Sequence, residues 1–316
     1  MRHLLSIADL SRSDIERVLT VAESFAEVVE RDIKKVPTLR GRTIVNLFYE
    51  ASTRTSSSFE LAAKRLSADV VTVKAAGSAV DKGESLKDTI ATLSAYDPAA
   101  IVIRSPWAGA ATLVSRWSAA SVVNAGDGKH EHPSQALLDV FTIKRRLGSL
   151  EGIEIWIVGD VLHSRVARSN VLAFTRMGAH VTVCGPPTLI PRDVQALGCD
   201  VAYDLERLRE ADVVYALRLQ RERMADAFVP SLREYAARYQ IDARRLEPRQ
   251  LLMHPGPVNR GVELSAEVID SPQALIVEQV AAGLVVRMAI LFELLSGGGE
   301  SGAGSRVEVP SVEQPA

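Results

Sequence analysis

The chain has 316 residues, 47% hydrophobic and 24% charged, with 37 Lys+Arg against 39 Asp+Glu for a formal charge of −2. That length exceeds what one hydrophobic core usually organises, so two domains are expected. The near-neutral balance argues against a nucleic-acid or membrane-surface partner, so any strongly positive site must be local.

The N-terminus, Met-Arg-His-Leu-Leu-Ser, has no apolar run of secretory length, and no stretch reaches the roughly 18 apolar residues of a membrane helix. Cys184 and Cys199 are the only cysteines. Without a secretion signal they are expected as reduced thiols, and the protein is expected in the cytoplasm.

Short β-branched runs predict strands over 43–48, 69–74, 100–104 and 121–124 in the first half, and over 154–158, 180–184, 212–217 and 250–253 in the second. Helices fill the gaps. Phe59, Ala62, Ala63 and Leu66 fall at i, i+3, i+4 and i+7, the stripe of a helix packing on a sheet. Strands alternating with helices imply parallel sheets. The expected fold is therefore α/β, with two domains that each hold a doubly wound parallel sheet of four strands and face each other across a cleft.

Gly148-Ser149-Leu150-Glu151-Gly152 interrupts the pattern and divides a first domain, 1–147, from a second, 148–274. The apolar run 275–295 reads as a final packing helix near the first domain. Glu278, Gln279, Arg287 and Glu293 break it as a membrane span. The Gly/Ser-rich stretch 296–316 reads as a disordered tail.

Ligands of open α/β sheets sit at the carboxyl ends of strands. After the first strand comes Tyr49-Glu50-Ala51-Ser52-Thr53-Arg54-Thr55, then a helix. Hydroxyls, backbone N–H groups and a guanidinium at a helix N-terminus suit a phosphate. Arg104 and Arg218 each end a strand, and Arg165 opens a helix just past another. Four arginines directed at one crevice repel one another unless anions lie between them, so the substrates are expected to carry several carboxylates or phosphates.

The fourth strand leads to Asp127-Gly128-Lys129-His130-Glu131-His132-Pro133-Ser134-Gln135, where Pro133 suits a first helical turn and places His132 and Gln135 at the helix start. His130 and His132 lack a well-spaced third metal ligand. His254-Pro255-Gly256-Pro257 forms a stiff turn with exposed carbonyls after the last strand. Ser78, Lys82, Gly83 and Glu84 lie in a loop of small residues that reads as surface or as a lid over an anion. Gly159-Asp160-Val161-Leu162-His163-Ser164, which follows a strand, lacks the G-x-G-x-x-G spacing, and no G-x-x-x-x-G-K-[ST] occurs, which argues against a nucleotide.

Together these segments resemble the aspartate carbamoyltransferase catalytic chains. The resemblance rests on 48–55, 82–85, 124–128 and His132-Pro133-Ser134-Gln135-Ala136-Leu137-Leu138-Asp139, and on Arg218-Leu219-Gln220-Arg221-Glu222-Arg223 and His254-Pro255-Gly256-Pro257. It spans roughly 3–295. Ser-Thr-Arg-Thr and His-Pro-x-Gln are shared with the ornithine enzymes, whereas Arg218-x-Gln220-x-Glu222-Arg223 marks the aspartate branch.

The resemblance implies carbamoyl transfer to aspartate without a cofactor or metal, by a homotrimer with active sites shared between chains. It implies that Ser52, Thr53, Arg54 and Thr55 hold the phosphate. Thr55, Arg104 and His132 donate to the carbamoyl oxygen, and Gln135 with the Pro255 and Gly256 carbonyls holds the carbamoyl NH₂. Arg165, Arg218 and Gln220 bind the aspartate carboxylates, while Ser78 and Lys82 reach a neighbouring subunit's site. Ser56, Ser105 and Gly256 depart from common family choices, at positions where arginine, histidine and leucine occur.

Overall fold

The computed structural model describes residues 1–74, 83–220, 224 and 228–296. Helix α1 (Arg12–Glu30) opens the first half, capped by Ser11, whose hydroxyl accepts from the Asp14 N–H. Then come β1 (Thr43–Phe48), α2 (Thr53–Arg65), β2 (Asp69–Lys74), α3 (Leu86–Ser94), β3 (Ala100–Ser105), α4 (Ala110–Trp117) and β4 (Ser121–Asp127). Helix α5 (Pro133–Leu147) leads into the second half, β5 (Glu154–Val158), α6 (Arg165–Arg176), β6 (His180–Cys184), β7 (Asp200–Ala202), β8 (Val213–Ala216), α7 (Leu232–Tyr239) and β9 (Leu251–Met253). Short α8 (Ala266–Ile269) precedes the long α9 (Ile276–Leu295).

Both sheets are parallel throughout, in the orders β2-β1-β3-β4 and β7-β6-β5-β8-β9. The second sheet thus has five strands where sequence periodicity gives four. The additional one, β7, is a three-residue edge strand with partly exposed side chains, too short to carry a period. All eight expected strands are present, with ends shifted by at most three residues.

In each sheet the chain starts in the middle and winds outward in both directions. The order therefore reverses between β1 and β3 in the first sheet and between β5 and β8 in the second. A reversal leaves a crevice beyond the strand carboxyl ends, because the two connections leave toward opposite faces.

Phe59, Ala62, Ala63 and Leu66 are all fully buried, as their helical spacing requires. The largest apolar core is common to both halves, joining Leu137 and Phe141 of α5, Val171 and Phe174 of α6, and Met288 and Ile290 of α9. Helix α9 packs against α1, α2 and α5. A continuous core of this kind fixes the angle between the sheets and so the shape of the crevice. Cys184 and Cys199 are buried free thiols. Among the described residues no helix is long and apolar enough to cross a membrane. Residues 297–316, most of the expected tail, lie outside those described.

Candidate active site

The two strand-order reversals face each other and enclose a cavity of about 600 Å³. The first sheet contributes the loop after β1 and the end of β3. The second contributes the loops after β5, β8 and β9. Arg54, Arg104, Arg165 and Arg218 all line this one cavity, joined by Ser52, Thr53, Thr55, His132, Gln135, Gln220, Pro255 and Gly256. Ser78 and Lys82 lie outside the described residues, as do Arg221, Glu222 and Arg223.

Two helices begin at the cavity wall without the usual neutralisation of their N-termini. Helices α1, α3 and α7 each start with a serine that accepts from the backbone and an acidic residue in the first turn. Helices α2 and α5 have neither: Ser52 and His132 stand at the N-cap positions without capping hydrogen bonds, and no acid follows. Their first-turn donors and positive dipole ends are left for an exogenous anion.

The charges across the cavity are unequal. Burial, and then the charge of Arg218, lowers the pKa of Arg54, so the guanidinium from the first sheet feels the one from the second. Arg165, only 5% exposed, donates from Nη2 to Glu50, and Arg104 Nε lies 3.4 Å from the same carboxylate. Arg104 also donates to the Ala125 carbonyl at 3.4 Å. Glu50 is thus the acid that ties the two sheets together across the crevice. Gly126 makes room for this arrangement: at φ +116°, its side-chain position would lie 3.0 Å from Arg165 Nε.

His132 is buried, and its pKa falls well below 6.5 through burial and the charges of Arg104, Arg165 and Arg287. At neutral pH it is an uncharged imidazole, which can donate one hydrogen bond without adding charge. On the second sheet, Asp160 accepts from His163 Nδ1 at 2.8 Å and from the Gln220 N–H at 3.1 Å, while Gln220 Nε2 donates to the His163 carbonyl at 3.2 Å. This holds the loop after β8 against the loop after β5.

Several residues that shape the cavity carry no role in the sequence reading: Glu50, Asp139, Gln279 and Arg287. Each left a trace there. Glu50 adjoins the phosphate-type loop. Asp139 follows Gln135 by four residues on one helical face. Gln279 and Arg287 are eight apart, two turns along one stripe of an otherwise apolar helix. Arg287 is buried over the Phe59 ring at 5.2 Å, and burial pushes its pKa down to about 10 against the opposing pull of Asp139. Asp139 is completely buried, and burial raises its pKa to about 6 despite four side-chain donors. Among the described residues no group of three His, Cys, Asp or Glu could hold a metal ion. His130 instead pairs with Asp127 at 3.1 Å.

The profile of the aspartate/ornithine carbamoyltransferase carbamoyl-P binding domain matches residues 2–145, and that of the Asp/Orn binding domain matches 151–294. The aspartate carbamoyltransferase catalytic subunit of Acidothermus cellulolyticus is 56% identical over 316 residues, covering 99% of this chain and 98% of its own. That of Parafrankia sp. is 57% identical over 303 residues, covering 95% and 98%. Among solved structures, aspartate transcarbamoylase from Trypanosoma cruzi in complex with N-(phosphonacetyl)-L-aspartic acid superimposes with a TM-score of 0.84 at 34% identity, over 93% of this chain and 96% of that one. The catalytic subunit of M. jannaschii aspartate transcarbamoylase gives 0.82 at 37% identity, over 94% and 99%. The chain belongs to the aspartate/ornithine carbamoyltransferase family, as a close relative of aspartate carbamoyltransferase catalytic subunits.

Proposed function

We propose that this chain transfers the carbamoyl group of carbamoyl phosphate to the amino group of L-aspartate, giving N-carbamoyl-L-aspartate and phosphate. The observation that carries this reading is the meeting of two sheet reversals, which surrounds one cavity with five arginines and two uncapped helix N-termini. Such a site is built for two anions held side by side. On this reading the reaction is the committed step of pyrimidine synthesis, carried out in the cytoplasm.

Ser52, Thr53, Arg54 and Thr55 take the phosphate at the start of α2. Arg165, Arg218 and Gln220 take the aspartate carboxylates. The neutral amine then attacks the carbamoyl carbon; an N–C bond forms, and the C–O bond to phosphate breaks with its electron pair leaving on phosphate. Negative charge grows on the carbonyl oxygen, where Thr55, Arg104 and neutral His132 donate. Gln135 and the Pro255 and Gly256 carbonyls accept from the carbamoyl NH₂. The departing phosphate takes the amine proton, so no separate base is needed. Holding both anions in attack geometry supplies much of the rate.

The chain divides for this task into a carbamoyl-phosphate domain, 1–147, an aspartate domain, 148–274, and a helix, 275–295, which belongs spatially with the first. The packing of α9 on α1, α2 and α5 supports that division. Three copies form the working unit, with Ser78 and Lys82 entering a neighbour's cavity.

The direct test supplies carbamoyl phosphate with aspartate or ornithine and measures carbamoyl-aspartate and citrulline. Aspartate is the expected acceptor. Ornithine would leave a carboxylate-binding arginine unpaired, so substantial citrulline would overturn the assignment.

A further inference from the structure

The two arms that accept from the carbamoyl NH₂ in the proposed reaction come from opposite halves of the fold. Gln135 stands in the first turn of α5, and the His254–Pro257 turn follows β9. Both lead to one buried carboxylate. Gln135 Nε2 donates to Asp139 Oδ1 at 3.1 Å. The His254 N–H donates to Gln279 Oε1 at 3.0 Å, and Gln279 Nε2 donates to the same Asp139 Oδ1 at 2.7 Å. The other oxygen, Oδ2, accepts from Tyr215 Oη at 2.7 Å and from Asn170 Nδ2 at 3.0 Å.

A carboxylate can only accept, so it dictates which way each amide faces. Gln135 must turn its nitrogen to Asp139, which leaves its oxygen as the end available to the cavity it lines. Gln279 must likewise turn its nitrogen to Asp139, which leaves its oxygen to fix the backbone of His254. An amide free to flip would present a donor to the carbamoyl NH₂, donor against donor, half the time.

We propose that Asp139 is the positioning residue for carbamoyl recognition, setting both acceptor arms through Gln135 and Gln279 so that the cavity selects an acyl phosphate bearing an NH₂. It touches no substrate. This inference rests on the carbamoyl-phosphate reading of the site and adds the source of its selectivity.

The test compares carbamoyl phosphate with acetyl phosphate, which carries a methyl in place of the NH₂, and with inorganic phosphate. Equilibrium binding to the full-length protein is measured for each. If wild type binds carbamoyl and acetyl phosphate equally well, the carbamoyl-phosphate reading fails before any variant is made. Given wild-type preference, Asp139→Ala should weaken carbamoyl phosphate by about 10- to 100-fold, the effect of losing buried hydrogen-bond geometry. Phosphate and acetyl phosphate should change by less than about 3-fold. Gln279→Leu, which cuts one arm and leaves Asp139 in place, should lose about 10-fold of the preference. Tyr215→Phe, which removes a donor only from the other oxygen, should keep it.

A merely structural role for Asp139 would weaken all three ligands together. Parallel weakening in Asp139→Ala and Gln279→Leu, or an unchanged preference in either, would overturn the proposal. Should Asp139→Ala fail to fold, Gln279→Leu decides the question alone.

Discussion

Glu50, in the loop after β1, accepts from Arg165, at the start of α6, and so joins the two sheets across the cavity. Arg104 shares the same carboxylate. Among the described residues lining the cavity, Glu50 is the acid beside the guanidiniums. Glu50→Gln keeps the shape and removes that charge, weakening the ion pair that holds buried Arg165, a change that costs up to about 3–5 kcal/mol when fully expressed. The variant should melt at lower temperature, and kcat/KM for aspartate should fall by roughly 10-fold as Arg165 loses its fixed position. Adding a phosphonate–aspartate bisubstrate analogue should restore most of the lost melting temperature, because its carboxylates supply the missing charge. Wild-type melting and turnover in Glu50→Gln would show that the pair does not organise the site.

Arg54 and Gly256 form a second cross-cavity relationship. A Cβ on Gly256 would lie 2.7 Å from Arg54 Cζ, and Gly256 holds φ +61°. Arg54→Ala should lower turnover by roughly 10²-fold or more, as losing a charged transition-state donor does. Its fold should be unchanged, because Arg54 lines the cavity and not the core. Gly256→Ala should act on the same guanidinium indirectly, pushing it aside and weakening phosphate binding by about 10-fold. The left-handed backbone adds about 1–2 kcal/mol of destabilisation. Near-normal turnover in Arg54→Ala would remove that residue from the site.

The strands were legible because β-branched runs such as Thr43-Ile44-Val45-Asn46-Leu47-Phe48 are buried central strands with no competing helical period. The arginines were legible because parallel α/β topology places residues at strand ends in the crevice. Contacts between remote segments were not. Nothing in the spacing of Glu50 and Arg165 predicts their pairing, and Asp139 reads as one polar residue among apolar neighbours until α6, β8 and α9 close around it. Gln279 and Arg287 break the apolar run of α9 visibly, yet only packing shows that this face turns toward the cavity. Strand β7 escaped because three half-exposed residues carry no pattern.

His132 and His254 are buried with lowered pKa values, in each case first through burial. The unfolded chain takes up their protons near pH 6.5, while the folded chain resists them. Their contribution to stability is therefore complete above pH 6.5 and is lost as pH falls below it. Each such group steepens the loss by up to about 1.4 kcal/mol per pH unit. His132→Asn should make the decline between pH 6.5 and 5 shallower by up to that amount, measured as urea unfolding free energy. An unchanged slope would mean that His132 is protonated in the folded chain.

Active sites are expected to be shared between copies of the chain. The family resemblance sends Lys82 into a neighbour's cavity, whereas Arg165 lines the cavity of its own chain. Lys82→Ala and Arg165→Ala should each be inactive as pure trimers, since every site lacks one of the two groups. In a mixed trimer, one interface joins an intact Arg165 from the first variant to an intact Lys82 from the second. Equal, random mixing makes about three trimers in four hybrid, each with one complete site of three, so activity should recover to about a quarter of wild type. The variants are dissociated, mixed, reassociated and assayed at saturating substrates. A lysine that served its own chain would leave every site deficient whatever the mixture. Confirmed hybrid trimers without recovery would therefore place Lys82 in its own chain's cavity or in none.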